Sequence, residues 1–174
     1  MQCTNFELAT RVPLIVSSPR QKQKATKTMA LAELVDLFPT LTELAGVPQA
    51  PGMQGVSLAP VLDDPNTSVS NVSFSQFPRM HTCNESFPLQ RAPMGVSIRV
   101  DTWRYTEWVK FNYTADKPHP IWSELYGVEL YDHHGDGGDS MDKFENENLA
   151  SEPAYADTVK QMHAMLVNKW GQTL

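Results

Sequence analysis

The sequence predicts an α/β fold in which a small antiparallel sheet, covered on one face by a C-terminal helix, follows the closing elements of a larger α/β domain. Three observations carry this reading. The middle of the chain holds short segments rich in aromatic and β-branched residues, Met94–Val100, Trp103–Phe111 and Glu124–Tyr131. A helical apolar pattern follows them, opened by Pro153 and running to about Trp170. Strands followed by a helix make one layer on another, because each element has a single apolar face to bury. Earlier in the chain, a short apolar run and a long amphipathic stripe belong to a different layer. The division falls between residues 1–65, the end of the large domain, and residues 66–174, the antiparallel subdomain.

Val12-Pro13-Leu14-Ile15-Val16, closed by Ser17, Ser18 and Pro19, suits a buried strand of a parallel sheet, where both faces are covered. Such a strand needs neighbours. Gln21–Thr28 is polar loop. From Met29, the residues Leu31, Leu34, Val35, Leu37, Phe38, Leu41 and Leu44 recur at three- and four-residue spacing, the signature of an amphipathic helix. Thr28 is placed to cap its start and Gly46 to end it. Pro39 lacks an N–H and clashes with a preceding turn, so a kink or a break between two helices is expected there. Val56–Leu62 reads as one or two helical turns and Val72–Phe77 as a strand. Met94–Val100 and Trp103–Phe111 form a hairpin turning at Asp101-Thr102, with Glu124–Tyr131 as a further strand. His133–Asn148 is an acidic, glycine-bearing loop. In the last helix Tyr155, Val159, Met162, Met165, Leu166 and Trp170 share one side, and Pro153 is tolerated in its first turn.

The composition excludes several classes. The 174 residues are 41% hydrophobic and 20% charged, a globular balance. A net charge of -6 argues against nucleic acid as a partner, since Lys22, Lys24 and Lys27 form a short basic cluster without interleaved aromatics. No apolar run reaches the roughly 18–20 residues that span a bilayer, so no membrane span is expected. Met1-Gln2-Cys3-Thr4-Asn5 offers neither a charged start nor an apolar h-region, so no signal peptide is read in this chain. Four N-x-S/T sequons, at Asn66, Asn71, Asn84 and Asn112, point instead to a secreted or lumenal protein and mark candidate glycosylation sites. The signal is then expected upstream. Cys3 and Cys83 make neither a disulfide framework nor a zinc pattern.

The residues alone expose little chemistry. Asp132, His133, His134, Asp136, Asp139, Asp142 and Glu145 resemble a metal cluster, but no EF-hand register fits. Counting from Asp132 puts Gly137 at position 6 and Lys143 at position 12, whereas counting from His134 puts Asp139 at position 6. A solvated acidic loop is the expectation, with neither histidine catalytic. Trp103, Tyr105 and Trp108 sit at alternating or near-alternating strand positions and are read as core rather than as a sugar platform.

Several segments together resemble the sulfatase family, and within it the iduronate-2-sulfatase branch. They are Asn5-Phe6-Glu7-Leu8-Ala9-Thr10-Arg11-Val12-Pro13-Leu14-Ile15, Leu34 to Leu41 with Leu44-Ala45-Gly46, Gly55 to Leu62, Ser75-Gln76-Phe77-Pro78-Arg79, Met94 to Arg99, Arg104 to Val109, and Glu129-Leu130-Tyr131-Asp132. Their order is the family's, and they span nearly the whole chain. The resemblance implies the C-terminal part of an alkaline-phosphatase-like α/β fold that hydrolyses sulfate esters. The family's nucleophile is a cysteine of a Cys-x-Pro-Ser-Arg motif converted to formylglycine, and a calcium ion polarises the sulfate.

Neither Cys3 nor Cys83 stands in such a motif, and His133-His134-Gly135 only mimics the family's Asp-His-Gly metal motif. No catalytic residue and no metal ligand is therefore carried over. Nucleophile and calcium are expected from a missing N-terminal sulfatase domain, the implied partner, and the chain alone is expected to be inactive. The parent enzyme is expected to be lysosomal or secreted and to act on a sulfated glycan, iduronate 2-O-sulfate in heparan or dermatan sulfate. In the branch it resembles, the loop after the Pro-Arg pair sends a basic residue to the sugar's carboxylate. Arg91, in the matching loop Met80 to Pro93, is the candidate for that contact. Arg79 is read as a substrate-side residue that orients by pairing within the fold. A free-standing, non-catalytic sugar- or partner-binding module is the other class.

Overall fold

The computed structural model describes residues 4–19, 21–79 and 92–171. In chain order its elements are α1 (Glu7–Thr10), α2 (Leu37–Ala45), α3 (Ala59–Asp63), β1 (Val72–Pro78), β2 (Met94–Val100), β3 (Trp103–Asn112), β4 (His119–Asp132) and α4 (Ala156–Gly171). They form two compact units, Pro13–Ser73 and Met1–Val12 with Phe74–Leu174. No helix among the described residues is long and apolar enough to cross a membrane.

In the first unit, Val12–Val16 is not the buried strand its composition predicts. No strand pairs with it among the described residues, and Ile15 is 91% exposed. A strand exists only when its N–H and C=O groups meet a neighbour's, and apolar composition cannot supply that neighbour. The expected helix also starts late. Thr28 caps no helix; its hydroxyl donates to Pro65 O (2.8 Å) and accepts from Ala30 N (3.1 Å). A single 3-10 turn, Leu34–Asp36, opens into α2 instead, with the Asp36 carboxylate accepting from Glu33 N at 2.7 Å. Pro39 then falls in the first turn of α2, where its missing N–H costs no hydrogen bond, so it marks a start rather than a kink. Gly46 ends α2 as predicted. At φ 68° it lets Val47 N reach Thr42 O while its own N–H reaches Glu43 O. Buried Asp36 and Thr40 tie the helix to the following loop, accepting from Val56 N (2.8 Å) and Leu58 N (2.9 Å). The apolar stripe Leu34, Phe38, Leu41 faces outward, and Phe38 is 58% exposed.

The second unit is built on the sheet β1-β2-β3-β4, with β2–β3 and β3–β4 antiparallel. The hairpin turns at Asp101-Thr102, pairing Arg99 with Arg104 and Met94 with Val109. Strand β4 is longer than its apolar core predicts, because Asn112 pairs with His119 and extends the ladder. Register shifts at Trp108/Val109 and Val109/Lys110 bulge it.

Alternation gives the sheet two different faces. Met94, Val96, Ile98, Tyr105, Glu107, Val109 and Leu130 point one way, and α4 packs against β2, β3 and β4 with Met162 and Leu166 buried. Gly95, Ser97, Arg99, Arg104, Thr106, Trp108, Glu129 and Tyr131 point the other way, toward the N-terminal segment. Gly95 is the point of closest approach on that face. A Cβ there would lie 2.5 Å from Asn5 Nδ2 and 2.7 Å from Trp108 Cζ3. G95A should therefore destabilise by about 1–3 kcal/mol through overpacking, read by urea denaturation. A variant as stable as the parent would mean that this approach is not tight.

Candidate functional site

Arg79 follows β1, and its N–H donates to Pro93 O (2.8 Å), which fixes where the side chain leaves the sheet edge. The residue is exposed, and its guanidinium lies 5.0 Å from the centroid of the Trp108 ring. Stacking on an indole face holds such a cation without removing its hydrogen-bond donors. Trp108 Nε1 donates to Glu129 Oε1 (2.9 Å), one strand away on the same face. The other carboxylate oxygen, Glu129 Oε2, is enclosed and has no hydrogen-bond partner among the described residues. Burial pushes the Glu129 carboxyl up, more than the Trp108 hydrogen bond and the Arg79 charge pull it down. These groups border a cavity of about 380 Å³, which exposed Tyr126 and Gly127 also line. Asn148 braces its wall, with Oδ1 accepting from Leu130 N and Ala150 N and Nδ2 donating to Val128 O.

The acidic loop is solvated in part, with His134, Asp139 and Asp142 exposed, but three of its residues turn inward. His133 is buried at 1% exposure and the Asp136 and Glu145 side chains at 2% and 4%. They belong to one ion network with Glu7 of α1 and Arg99 and Arg104 of the hairpin. Glu7 Oε1 accepts from Arg99 Nε and Arg104 Nη2, both at 2.9 Å, and Glu7 N donates to Glu145 Oε2 at 2.6 Å. Arg104 Nε lies 2.5 Å from Glu145 Oε1, a close ion contact without hydrogen-bond alignment. His133 faces Asp136 through Nδ1 (3.0 Å) and Glu145 through Nε2 (3.3 Å). On the other face, buried Glu107 Oε1 accepts from Tyr105 (2.7 Å) and meets the exposed His163 Nδ1 (2.5 Å).

Glu7, His133 and Glu145 bring three ligand atoms within 4.8 Å of one another, the only such grouping among the described residues. They do not fit calcium. That ion takes about 6–8 oxygens, and here the carboxylates already face two guanidinium groups that would repel it. The network instead fastens the N-terminal segment to the sheet. Asn5 adds to this by donating to Gly95 O (3.1 Å), and Arg11 by donating to Gly138 O (3.0 Å).

The network predicts acid lability. Burial raises the Glu7 carboxyl, but the Arg104 charge and the hydrogen bonds from Arg99 and Arg104 outweigh it, so Glu7 sits below its ordinary value of 4.5. Asp136 sits below 3.8: burial raises it, and the His133 hydrogen bond and Gly138 N–H more than compensate. The unfolded chain therefore binds protons first as pH falls. The stabilisation is complete above the ordinary carboxyl range and is lost below about pH 4. Glu129, raised, contributes in the opposite sense, with stability lost as pH rises, so E129Q should sharpen the acid loss. Urea midpoints from pH 7 to 3 check this; a midpoint that rises below pH 4 would contradict it.

Arg91, Cys83 and Asn84 lie outside the described residues, as does Cys3. Asn66 and Asn71 are exposed, and Asn112 Oδ1 organises the turn after β3 by accepting from Thr114 N and Ala115 N. Tyr105 and Trp108 are buried, as read from their alternation. Sequence reasoning missed Glu7, Arg99, Arg104 and Glu129, and it read Glu145 as solvated loop rather than as a member of the network. The available signal was charge at strand positions that alternation assigns to the inside, which Arg99, Arg104 and Glu129 all show.

The profile of the family described as N-sulphoglucosamine sulphohydrolase, C-terminal, matches residues 3–172. The chain is 26% identical over 163 residues to the Delta 4,5-hexuronate-2-O-sulfatase of Bacteroides thetaiotaomicron, covering 92% of this chain and 28% of that protein. It is 30% identical over 179 residues to the iduronate 2-sulfatase of Homo sapiens, covering 74% and 32%. Against arylsulfatase K of Danio rerio it is 30% identical over 106 residues, covering 58% and 18%. The chain thus spans less than a third of the length of each. A crystal structure from Bacteroides thetaiotaomicron described as a sulfatase superposes with a TM-score of 0.54 at 24% identity, covering 79% of this chain and 24% of that one. A second, solved in complex with its substrate D-glucosamine-2-N,6-O-disulfate, gives 0.54 at 19% identity with the same coverage. These two likenesses carry the fold.

Proposed function

We propose that this chain, which belongs to the N-sulphoglucosamine sulphohydrolase C-terminal family, completes a sulfatase when joined to an N-terminal catalytic part. The observation that carries this is a family match running almost end to end in a sequence with no Cys-x-Pro-Ser-Arg. The outward stripe of Leu34, Phe38 and Leu41 and the unpaired Val12–Val16 run support it, since apolar surface of this kind calls for a covering partner. The favoured substrate is a 2-O-sulfated iduronate at the end of heparan or dermatan sulfate. Two relatives named for 2-sulfate removal from hexuronate and iduronate lead to that choice.

In this reading the joined part supplies the nucleophile and a calcium ion that polarises the sulfate. This chain supplies the wall that meets the sugar. Arg79 orients that wall where it lines the cavity, and Arg91 supplies the cation toward the uronate carboxylate. The enzyme is lysosomal or secreted and carries glycans on Asn66, Asn71, Asn84 and Asn112.

The test compares sulfate release from a 2-O-sulfated iduronate disaccharide by the chain alone and by the chain fused behind a sulfatase N-terminal part bearing Cys-x-Pro-Ser-Arg. Turnover by the fusion and none by the chain is the expected result. Turnover by the chain alone would overturn the proposal. Saturable glycan binding by the chain, with an inactive fusion, would favour the non-catalytic module.

A further inference from the structure

We propose that Asn5 and Glu7 are positioning residues: they clasp the N-terminal segment to the sheet in one register, and so set the N-terminal catalytic part against the wall that meets the sugar. What precedes the segment rests on the sulfatase reading, in which most of the enzyme joins this chain there. The clasp itself stands on the geometry. The segment is inverted in polarity. Asn5 and Glu7 are 1% and 6% exposed, whereas Leu8 and Val12 are 42% and 54% exposed. A strap held down by apolar burial would show the opposite. Its one regular element, α1, is a single turn of four residues, and no strand pairs with it among the described residues.

Polar contacts hold it instead. Asn5 donates to Gly95 O on β2 (3.1 Å) and accepts from Ser75 Oγ on β1 (3.5 Å). Glu7 accepts from Arg99 on β2 and Arg104 on β3, both at 2.9 Å, while its N–H donates to Glu145 (2.6 Å). Two residues apart, the pair thus spans three strands. Buried ion pairs add little net stability, because desolvation offsets their attraction. They add direction: a guanidinium holds a carboxylate in one geometry, where apolar contacts tolerate sliding. Gly95 lets the Asn5 amide and the Trp108 ring crowd over the same point of β2. That contact ties the segment's register to the ring on which Arg79 lies.

In the fusion, N5A and E7Q should each lower kcat/KM for the 2-O-sulfated iduronate disaccharide by about tenfold or more, because the sugar then meets a misplaced wall. Turnover of a sulfated aryl ester, which needs the joined part alone, should stay within about twofold. L166A, on the other sheet face, should leave both substrates unaffected while it is folded. In the ¹⁵N-labelled chain the Glu7 amide should be protected from hydrogen exchange. N5A should speed that exchange by about tenfold or more and move the Trp108 indole resonance. Undiminished disaccharide turnover in folded N5A and E7Q, or equal losses on both esters, would overturn the proposal and leave the sulfatase reading standing. So would a parent Glu7 amide that exchanges like exposed loop. A parent fusion that cleaves neither ester sinks the sulfatase reading, and the positioning role with it, while a protected Glu7 amide keeps the clasp.

Discussion

Replacing Arg104 by alanine should remove about 3–5 kcal/mol of folding stability, because it strands two buried carboxylates at once. Arg104 is 3% exposed, and its guanidinium stands between Glu7 and Glu145, whose side chains are 8% and 4% exposed. Water screens little of that interaction, unlike the exposed Lys110–Glu124 pair. After the substitution, Glu7 keeps Arg99 and Glu145 keeps His133, but one guanidinium no longer balances three carboxylates, Glu7, Asp136 and Glu145. Domains of this kind hold only about 5–15 kcal/mol, so R104A removes a large share of the total.

A double-mutant cycle isolates the pair. E7Q/R104A should be less destabilised than the sum of the single changes, since removing the charge on Glu7 removes part of what Arg104 was neutralising. Urea denaturation at pH 7 reads all of it. A loss below 1 kcal/mol for R104A would show that the guanidinium is replaceable by water. The fastening also has a consequence for function. The ion network holds the N-terminal segment, through Glu7 and Asn5, on the same sheet face as Trp108 and Glu129. R104A is thus expected to disturb the cavity as well as the fold.

The fold was largely legible because its strands advertise themselves locally. Val96, Ile98, Tyr105 and Val109 alternate with a second set, and Gly46 announces the end of α2 through the one backbone conformation it adopts more easily than other residues. Signals that depend on distant partners failed. Val12–Val16 has strand composition, but a strand needs an edge to join. His133, Asp136 and Glu145 look like solvated loop because their neutralising partners, Arg99 and Arg104, stand on the hairpin. The same limit hid the cavity: Arg79 and Glu129 are fifty residues apart in the numbering and meet only through the register that sets Trp108 beside both. Resemblance supplied Arg79 as a position of interest; the sheet supplied its neighbours.

L166A should cost about 2–5 kcal/mol and leave the cavity chemistry untouched, which separates the two faces of the sheet. Leu166 is fully buried where α4 packs on β2, β3 and β4, beside Met162 at 3% exposure. Truncation removes most of its side chain from a site closed by rigid strands, so the surroundings collapse only partly and a void remains. The other ties of α4 include the Trp170 ring edge-on to Phe74 at 5.5 Å, Lys169 over the same ring at 5.1 Å, and His163 against Glu107 and Trp122. None of these fills the space of a central leucine. Alternation places Trp108 and Glu129 on the opposite face from Tyr105, Glu107 and Leu130, so a loosened helix does not reach them directly. The folded L166A chain should therefore keep the parent's Trp108 indole resonance while its urea midpoint falls. R104A, on the cavity's own face, should shift both. If L166A moved the indole as far as E129Q does, the sheet would transmit helix packing to the site, and the two faces would have to be treated as one.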